Sequence, residues 1–369
     1  MSNIQKNNKP NVPNLRFPEF SGEWEKRKLA SIGKFFSGGT PTSSNKDYYD
    51  GEIPFIRSGE IHSDHTELSI SAIGYENSSA KMVSKGDLLL ALYGATSGDI
   101  AISRMSGAIN QAILCIRTTQ DHLFLKSVWE KHVKNILNTY LQGGQGNLSA
   151  DIVKNLFFYF PRIEEQRKIG RLIELIDQRI AIQNRAIEQY ESLIKGISSE
   201  VIGGKRPNTT LSNCVFCSSS TLKESELIDT GIPTYGAAGI SGYTAEALCK
   251  SDSILITKDG SGVGSKRYVH GEHSFVGTLC SLTPKDGIYL PYVYYALMTM
   301  NLDTYKTGQA IPHIYFKDYG KLQLFCPTYS EQRRLSHGLE TLDRKVEFEK
   351  NLLLSINEVK KGLLDQLFI

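Results

Sequence analysis

Two stretches decide the fold. Pro161-Arg-Ile-Glu-Glu-Gln-Arg-Lys-Ile-Gly-Arg-Leu-Ile-Glu-Leu-Ile-Asp-Gln-Arg-Ile180 returns 166 residues later as Pro327-Thr-Tyr-Ser-Glu-Gln-Arg-Arg-Leu-Ser-His-Gly-Leu-Glu-Thr-Leu-Asp-Arg-Lys-Val346. At this constant offset the Pro coincides, as do Glu165/Glu331, Gln166/Gln332, Arg167/Arg333, Glu174/Glu340 and Asp177/Asp343, and further on Lys195-Gly196 meets Lys361-Gly362. A repeat of this length decides the architecture, so it is read first. Fainter similarity runs upstream: Lys85-Gly-Asp-Leu-Leu-Leu90 matches Lys250-Ser-Asp-Ser-Ile-Leu255, Cys115 falls on Cys280, and Gly144-Gln145 on Gly308-Gln309.

Within the first copy, positions 169, 173, 176, 180, 183, 187, 190, 194, 197 and 201 read Ile, Ile, Ile, Ile, Gln, Ile, Tyr, Ile, Ile, Val. Steps of alternating four and three make a coiled-coil seam over about four to five heptads. The second copy reads Leu335, Leu339, Leu342, Val346, Glu349, Leu353, Ile356, Lys360, Leu363 and Leu367. Both seams break at the same place, Gln183 and Glu349, where polar residues either fix register or sit at a wet crossing. Each helix follows a Pro and carries acidic residues in its first turn, as the helix dipole favours. About 36–38 residues would run roughly 55 Å. The other copy supplies the nearest matching surface, and pairing antiparallel would throw the remaining domains to opposite ends.

Outward from the helices, both halves show short β-type runs punctuated by Gly, Ser, Asn and Pro: Glu52–Arg57, Asp87–Tyr93 and Ala112–Arg117, then Ile232–Tyr235, Ser253–Thr257 and Thr278–Thr283. Helical stretches follow at about 123–140 and 289–303. The expected fold is therefore two tandem mixed α/β (α+β) domains, each followed by a long α-helix. The two helices are expected to form an antiparallel coiled coil with approximate two-fold symmetry. The divisions are an N-terminal arm 1–22, domain 1 at 23–160, helix 1 at 161–204, domain 2 at 205–326 and helix 2 at 327–369.

Three loops in each copy suit DNA. Ser37-Gly-Gly-Thr-Pro-Thr-Ser43 offers Thr40 and Thr42. Tyr93-Gly-Ala-Thr-Ser-Gly98, with Tyr93, Thr96 and Ser97, is matched by Lys258–Arg267, with Lys258, Ser261, Lys266 and Arg267. Gln142-Gly-Gly-Gln-Gly-Asn147, with Gln142, Gln145 and Asn147, is matched by Lys306–His313, with Lys306, Gln309 and His313. Arg57, Arg104 and Tyr235 complete the candidates. Glycine lets backbone approach phosphates, while Gln, Asn, Arg and Lys carry the donor pairs that read base edges. The alternative for each loop is an ordinary surface turn.

Composition narrows the function classes. The net charge of +3 is a weak argument for DNA, but the two helical segments each hold seven basic and seven acidic side chains, so the excess lies in the domains. Hydrophobic residues at 40% fit a globular chain. No apolar run approaches a membrane span, and residues 1–14 have no signal-like core, so a cytoplasmic protein is expected. Six cysteines suggest free thiols, and Cys214-Val-Phe-Cys217 has no second ligand pair for zinc. Gly260-Ser-Gly-Val-Gly-Ser-Lys266 imitates a phosphate loop, but Ser265 separates the last Gly from Lys. No Pro-Pro dipeptide exists for an adenine methyltransferase motif. Glu358-Val-Lys360 lies inside the heptad helix without an upstream Pro-Asp. His62 and His65 lie near Asp64 and Glu67 in a loop with no second-copy counterpart. A non-catalytic chain is expected, binding no metal and no cofactor.

These residues resemble the specificity subunits of type I restriction–modification systems. Leu15-Arg-Phe-Pro-Glu-Phe-Ser-Gly-Glu-Trp-Glu-Lys-Arg-Lys-Leu29 looks like the family's lead into a first target-recognition domain. The two Pro-x-x-x-Glu-Gln-Arg helix starts resemble its repeated spacers. The resemblance implies that each domain reads one half of a split double-stranded DNA site, and that the helices set the gap and dock two methyltransferase subunits. S-adenosylmethionine would then belong to those partners, and ATP and Mg to added restriction subunits. One departure is that Pro207-Asn-Thr-Thr-Leu211 opens the second domain without a Trp like Trp24. A coiled-coil scaffold that never reads DNA sequence is the competing expectation.

Overall fold

The computed structural model describes residues 11–140, 147–260, 262–308 and 312–369. It divides into two units, one of residues up to 182 joined by 353–369, the other of residues 183–352.

The first unit is built on Leu88–Ala91, which lies in a four-stranded antiparallel sheet in the order Gly33–Ser37, Ile113–Thr118, Leu88–Ala91, Ile100–Ile102. Every residue of Leu88–Ala91 is buried because the sheet is covered on both faces. Leu88, Leu90, Leu114, Ile116 and Ile100 share a core with Trp24, Phe124 and Phe160. Leu89, Ala91, Ile113, Cys115 and Ala101 share another with Ile56, Val83 and Ile109 of a second sheet. Two-sided cover is why the sequence reads as an unbroken apolar run instead of an alternation. That second sheet sets Tyr49–Ile56 parallel to Gly107–Ile109. Glu25–Lys28 pairs with Phe157–Phe160 and brings the domain's start back to its exit.

The second unit repeats this plan, except that its second sheet has three strands where the first unit's has four. Its four-stranded sheet runs Val215–Ser219, Leu279–Pro284, Ser253–Thr257, Lys266–Val269. Ile232–Gly236 lies parallel to Ser274–Phe275, and Thr209–Thr210 pairs with Gln323–Leu324. The missing Trp leaves the pairing of the domain's start with its exit intact. Asn208 closes the domain by bonding both the carbonyl and the N–H of Cys326, at 2.9 and 2.8 Å.

Each domain carries one helix against its long helix: His122–Tyr140 in the first unit, Leu290–Met298 in the second. The second is shorter than the 289–303 expected. Asn301 accepts the N–H of Asp303 at 2.9 Å and starts a separate 3-10 turn, Asp303–Tyr305. The long helices run Ile163–Ser198 and Tyr329–Leu367. The first passes into a π-turn, Ser199–Gly203, which leaves its last predicted seam residue, Val201, outside the α-helix. No seam position of either helix is exposed; Ile169, Ile173, Gln183, Ile187, Ile194, Leu339, Val346 and Leu367 are buried and the rest partly covered.

In the first unit, Leu367 and Phe368 enter the same core as Ile169 and Ile173. Phe368 lies 5.4 Å from Phe124 and 6.5 Å from Trp24, centroid to centroid. Lys360, the one charged residue of the second seam besides Glu349, closes a ring of alternating charges. Its ammonium lies 2.6 Å from Asp177 and 2.8 Å from Glu130, while Lys126 lies 2.7 Å from Asp177 and 2.8 Å from Glu130. Burial pushes the Asp177 carboxyl up, but the two ammoniums outweigh it and hold it below the usual carboxylate range. In the second unit Gln183 donates to the Glu349 carboxylate and, at 3.2 Å, to its carbonyl.

Gly170 permits the domain helix to approach. A Cβ there would lie 2.6 Å from Asp121 Oδ1 and 2.7 Å from the Phe124 nitrogen. The repeat places Ser336, fully buried, at the equivalent position. Ala ordinarily stabilises a helix over Gly by about 1 kcal/mol; crowding a packed core costs about 1–3 kcal/mol. Gly170→Ala is therefore expected to lower stability, read as a reduced denaturant midpoint. An unchanged or raised midpoint would show that the contact is loose.

Candidate nucleic-acid interface

Because neighbouring strands of the four-stranded sheet are antiparallel, the C-terminal ends of Gly33–Ser37 and Leu88–Ala91 lie beside the start of Ile113–Thr118. The loops leaving that end are tied together. Gly38 N–H donates to the Asn110 carbonyl at 3.2 Å, Leu92 N–H to Ala112 at 2.8 Å and Leu148 N–H to Leu92 at 3.0 Å. This gathers Thr40, Thr42, Tyr93, Thr96, Ser97 and Asn147 at one end of the first domain. Tyr93 and Asn147 are exposed, as are both threonines of the first loop.

The same end of the second domain is tied in the same way. Gly277 N–H donates to Leu222 at 2.8 Å, Lys258 N–H to Thr278 at 2.9 Å, Gly260 N–H to Pro312 at 3.0 Å and Ile314 N–H to Lys258 at 2.9 Å. Lys258, Lys306 and His313 meet here, and Val276 N–H donates to Tyr235 at 3.0 Å, bringing Tyr235 to the group. The Arg267 guanidinium stacks 5.6 Å over the Tyr235 ring. Two unlike sets of side chains thus occupy equivalent positions: hydroxyls, a tyrosine and an amide in one domain, cations and aromatics in the other.

Several candidates have intramolecular partners that draw them away from a ligand. Arg57 is held by Glu60 at 3.1 Å and by Glu67, and these carboxylates keep its guanidinium above the usual arginine value. Ser97 Oγ donates to the Leu92 carbonyl at 2.9 Å. Lys266 donates to the Met300 carbonyl at 2.7 Å, and burial pulls its ammonium below the ordinary lysine value. The imitation phosphate loop consequently has its lysine turned inward. Lys306 pairs with Asp303 at 2.6 Å and is otherwise exposed. Arg104, exposed, sits at the opposite end of the sheet, since Ser103 N–H donates to Asp87 at 2.8 Å. His62 pairs with Asp99 and His65 with Asp64, so the two histidines do not converge. Gln142, Gln145, Ser261 and Gln309 lie outside the described residues.

Two residues at these loop ends were missed. Gln111 is exposed and its Oε1 accepts the Thr40 hydroxyl at 2.7 Å. Tyr315 is 49% exposed, with His313 edge-on at 5.1 Å and the Lys317 ammonium 5.1 Å from its ring. Asn110-Gln111 between apolar runs signals a turn, but nothing local reveals a partner 71 residues away.

Among the described residues no helix is long and apolar enough to cross a membrane. The family model described as "Type I restriction modification DNA specificity domain" matches residues 21–192 and again 206–358. The EcoprrI specificity subunit of Escherichia coli is 20% identical over 373 residues, covering 90% of this chain and 89% of that one. The MjaIX specificity subunit of Methanocaldococcus jannaschii is 24% identical over 46% of this chain, and the match spans 42% of that relative's length. In fold, the S subunit of a type I restriction–modification system from M. genitalium superposes with a TM-score of 0.65 at 19% identity, over 97% of this chain and 99% of that one. With two matched copies covering most of its length, the chain belongs to the type I restriction–modification DNA specificity family.

Proposed function

We propose that this chain is the DNA-specificity subunit of a type I restriction–modification complex, and that each domain reads one half of a bipartite double-stranded site. The observation carrying this reading is the duplicated loop cluster: one scaffold, one end of one sheet, two different sets of donors. Two readers of different sequences need that combination, since the frame sets position while the loop side chains set specificity. A scaffold that only gathers proteins has no use for it.

The long helices then act as an antiparallel coiled coil that sets the unread gap and docks two methyltransferase subunits. Support comes from Gln183 meeting Glu349, its own counterpart in the repeat, as equivalent positions do where two antiparallel copies cross. Further support is Lys360, near the end of one helix, beside Asp177, near the start of the other. The chain itself is non-catalytic, binds no cofactor and works in the cytoplasm. S-adenosylmethionine belongs to the methyltransferase, and ATP and Mg to the restriction subunits.

The test is long-read mapping of methylated adenines in cells carrying this chain and its methyltransferase. Two fixed half-sites with one constant gap are expected, with centres roughly one helical turn, 34–36 Å, apart. Deleting one heptad from each long helix should change the gap and keep both half-sites. Altered half-sites would sink the ruler, and DNA retention indifferent to sequence would favour the scaffold.

A further inference from the structure

Gln166 and Gln332, one of the pairs that coincide in the repeat, are both 1% exposed. A buried amide has three or four hydrogen-bonding positions to satisfy, and leaving them empty is costly. In the first unit Gln166 Oε1 accepts the Asp121 N–H at 3.2 Å, and Nε2 donates to the Pro161 carbonyl and to Gln120 Oε1, both at 2.9 Å. In the second, Gln332 Oε1 accepts the Tyr289 N–H at 2.8 Å, and Nε2 donates to the Pro327 carbonyl at 2.9 Å and to Gly287 at 3.2 Å. Asp121 and Tyr289 each stand immediately before a domain helix, His122–Tyr140 and Leu290–Met298. One side chain thus ties the first turn of the long helix, the proline before it and the N-terminus of the domain helix. Divergent sequences around the two glutamines have kept two of these bonds, to the proline carbonyl and to the N–H before the domain helix, while the third goes to a side chain in one unit and to backbone in the other.

We propose that Gln166 and Gln332 are positioning residues for DNA reading: they fix the angle at which each domain leaves its long helix, and hence which gap lengths are accepted. The proposal rests on the bipartite reading above. A rigid ruler alone does not define a gap if the heads pivot on it. Satisfied polar networks confer such directional rigidity, whereas apolar packing admits sliding. The amide touches no DNA, so its loss should leave the half-sites alone.

The experiment uses the full chain with its methyltransferase and a set of duplexes whose two half-sites are separated by the native gap or by one base pair more or fewer. Gln166→Met and Gln332→Met keep side-chain bulk while removing the bonds. Each is expected to keep both half-site sequences and to lower the preference for the native gap about tenfold, a change of about 1.4 kcal/mol in selectivity. A merely structural role would lower methylation on all three duplexes equally, and that result overturns the proposal. If the methionine variants do not fold, Gln120→Ala removes one acceptor from the clamp and leaves both backbone bonds. It should relax gap preference in the same direction, about threefold, and unchanged preference overturns the proposal. If the unaltered chain shows no bipartite preference, the underlying reading fails, which these variants do not decide.

Discussion

Exchanging residues 207–325 for the second domain of another family member is expected to replace one half of the methylated sequence completely, with the other half and the gap unchanged. The reason is geometric. The exchanged segment begins at Pro207, beside the Asn208 bonds to Cys326, and ends before Cys326 and the proline that opens the second long helix. It carries all the strands of the second domain's sheets, Arg267 among them, and the loops bearing Lys258, Lys306 and His313, but neither long helix. Gln332 stays in place and needs from the incoming domain only a backbone N–H before its helix and a carbonyl, which any sequence supplies. Wrong base contacts cost about 1–3 kcal/mol each, so several altered loop residues abolish the old half-site. Methylation mapping reads the result. A change in both halves would mean that the domains do not read independently.

The largest effect on stability is expected from Phe368→Ala. Phe368 is 5% exposed, although it is the penultimate residue, and it packs on Phe124 and Trp24 in the first domain's core. The adjoining backbone is anchored as well, with Leu15 N–H donating to Gln366 at 3.0 Å. Truncating a buried Phe costs about 3–5 kcal/mol, of which the unfilled cavity is a large part. The loss should appear as a lowered denaturant midpoint of the first unit. The second unit's counterpart, Ile202, is buried in its own surroundings and should be unaffected. A loss below 1 kcal/mol would mean that the C-terminal residues fray in solution.

Much of this was legible in the residues alone. The repeat, the seams, the helix starts and most of the strands depend on local propensity and on periodicity, which are properties of consecutive residues. The seam break at Gln183 and Glu349 was visible as a pattern, but whether it fixed register or sat at a wet crossing was not. Their side chains turned out to bond each other.

What the tertiary structure decided was the use of each polar group. Arg57, Ser97 and Lys266 look as available as Tyr93 in the sequence, yet they bond to Glu60, the Leu92 carbonyl and the Met300 carbonyl. Lys360 looks like a fault in an apolar seam until Asp177 and Glu130 stand beside it. Gln166 and Gln332 read as marks of repetition, and only folding makes them joints. Apolar burial is non-directional and follows from pattern, so sequence determines it well. A hydrogen bond or ion pair needs a partner at about 3 Å in the right direction, and that partner lies anywhere from a few residues to hundreds away along the chain.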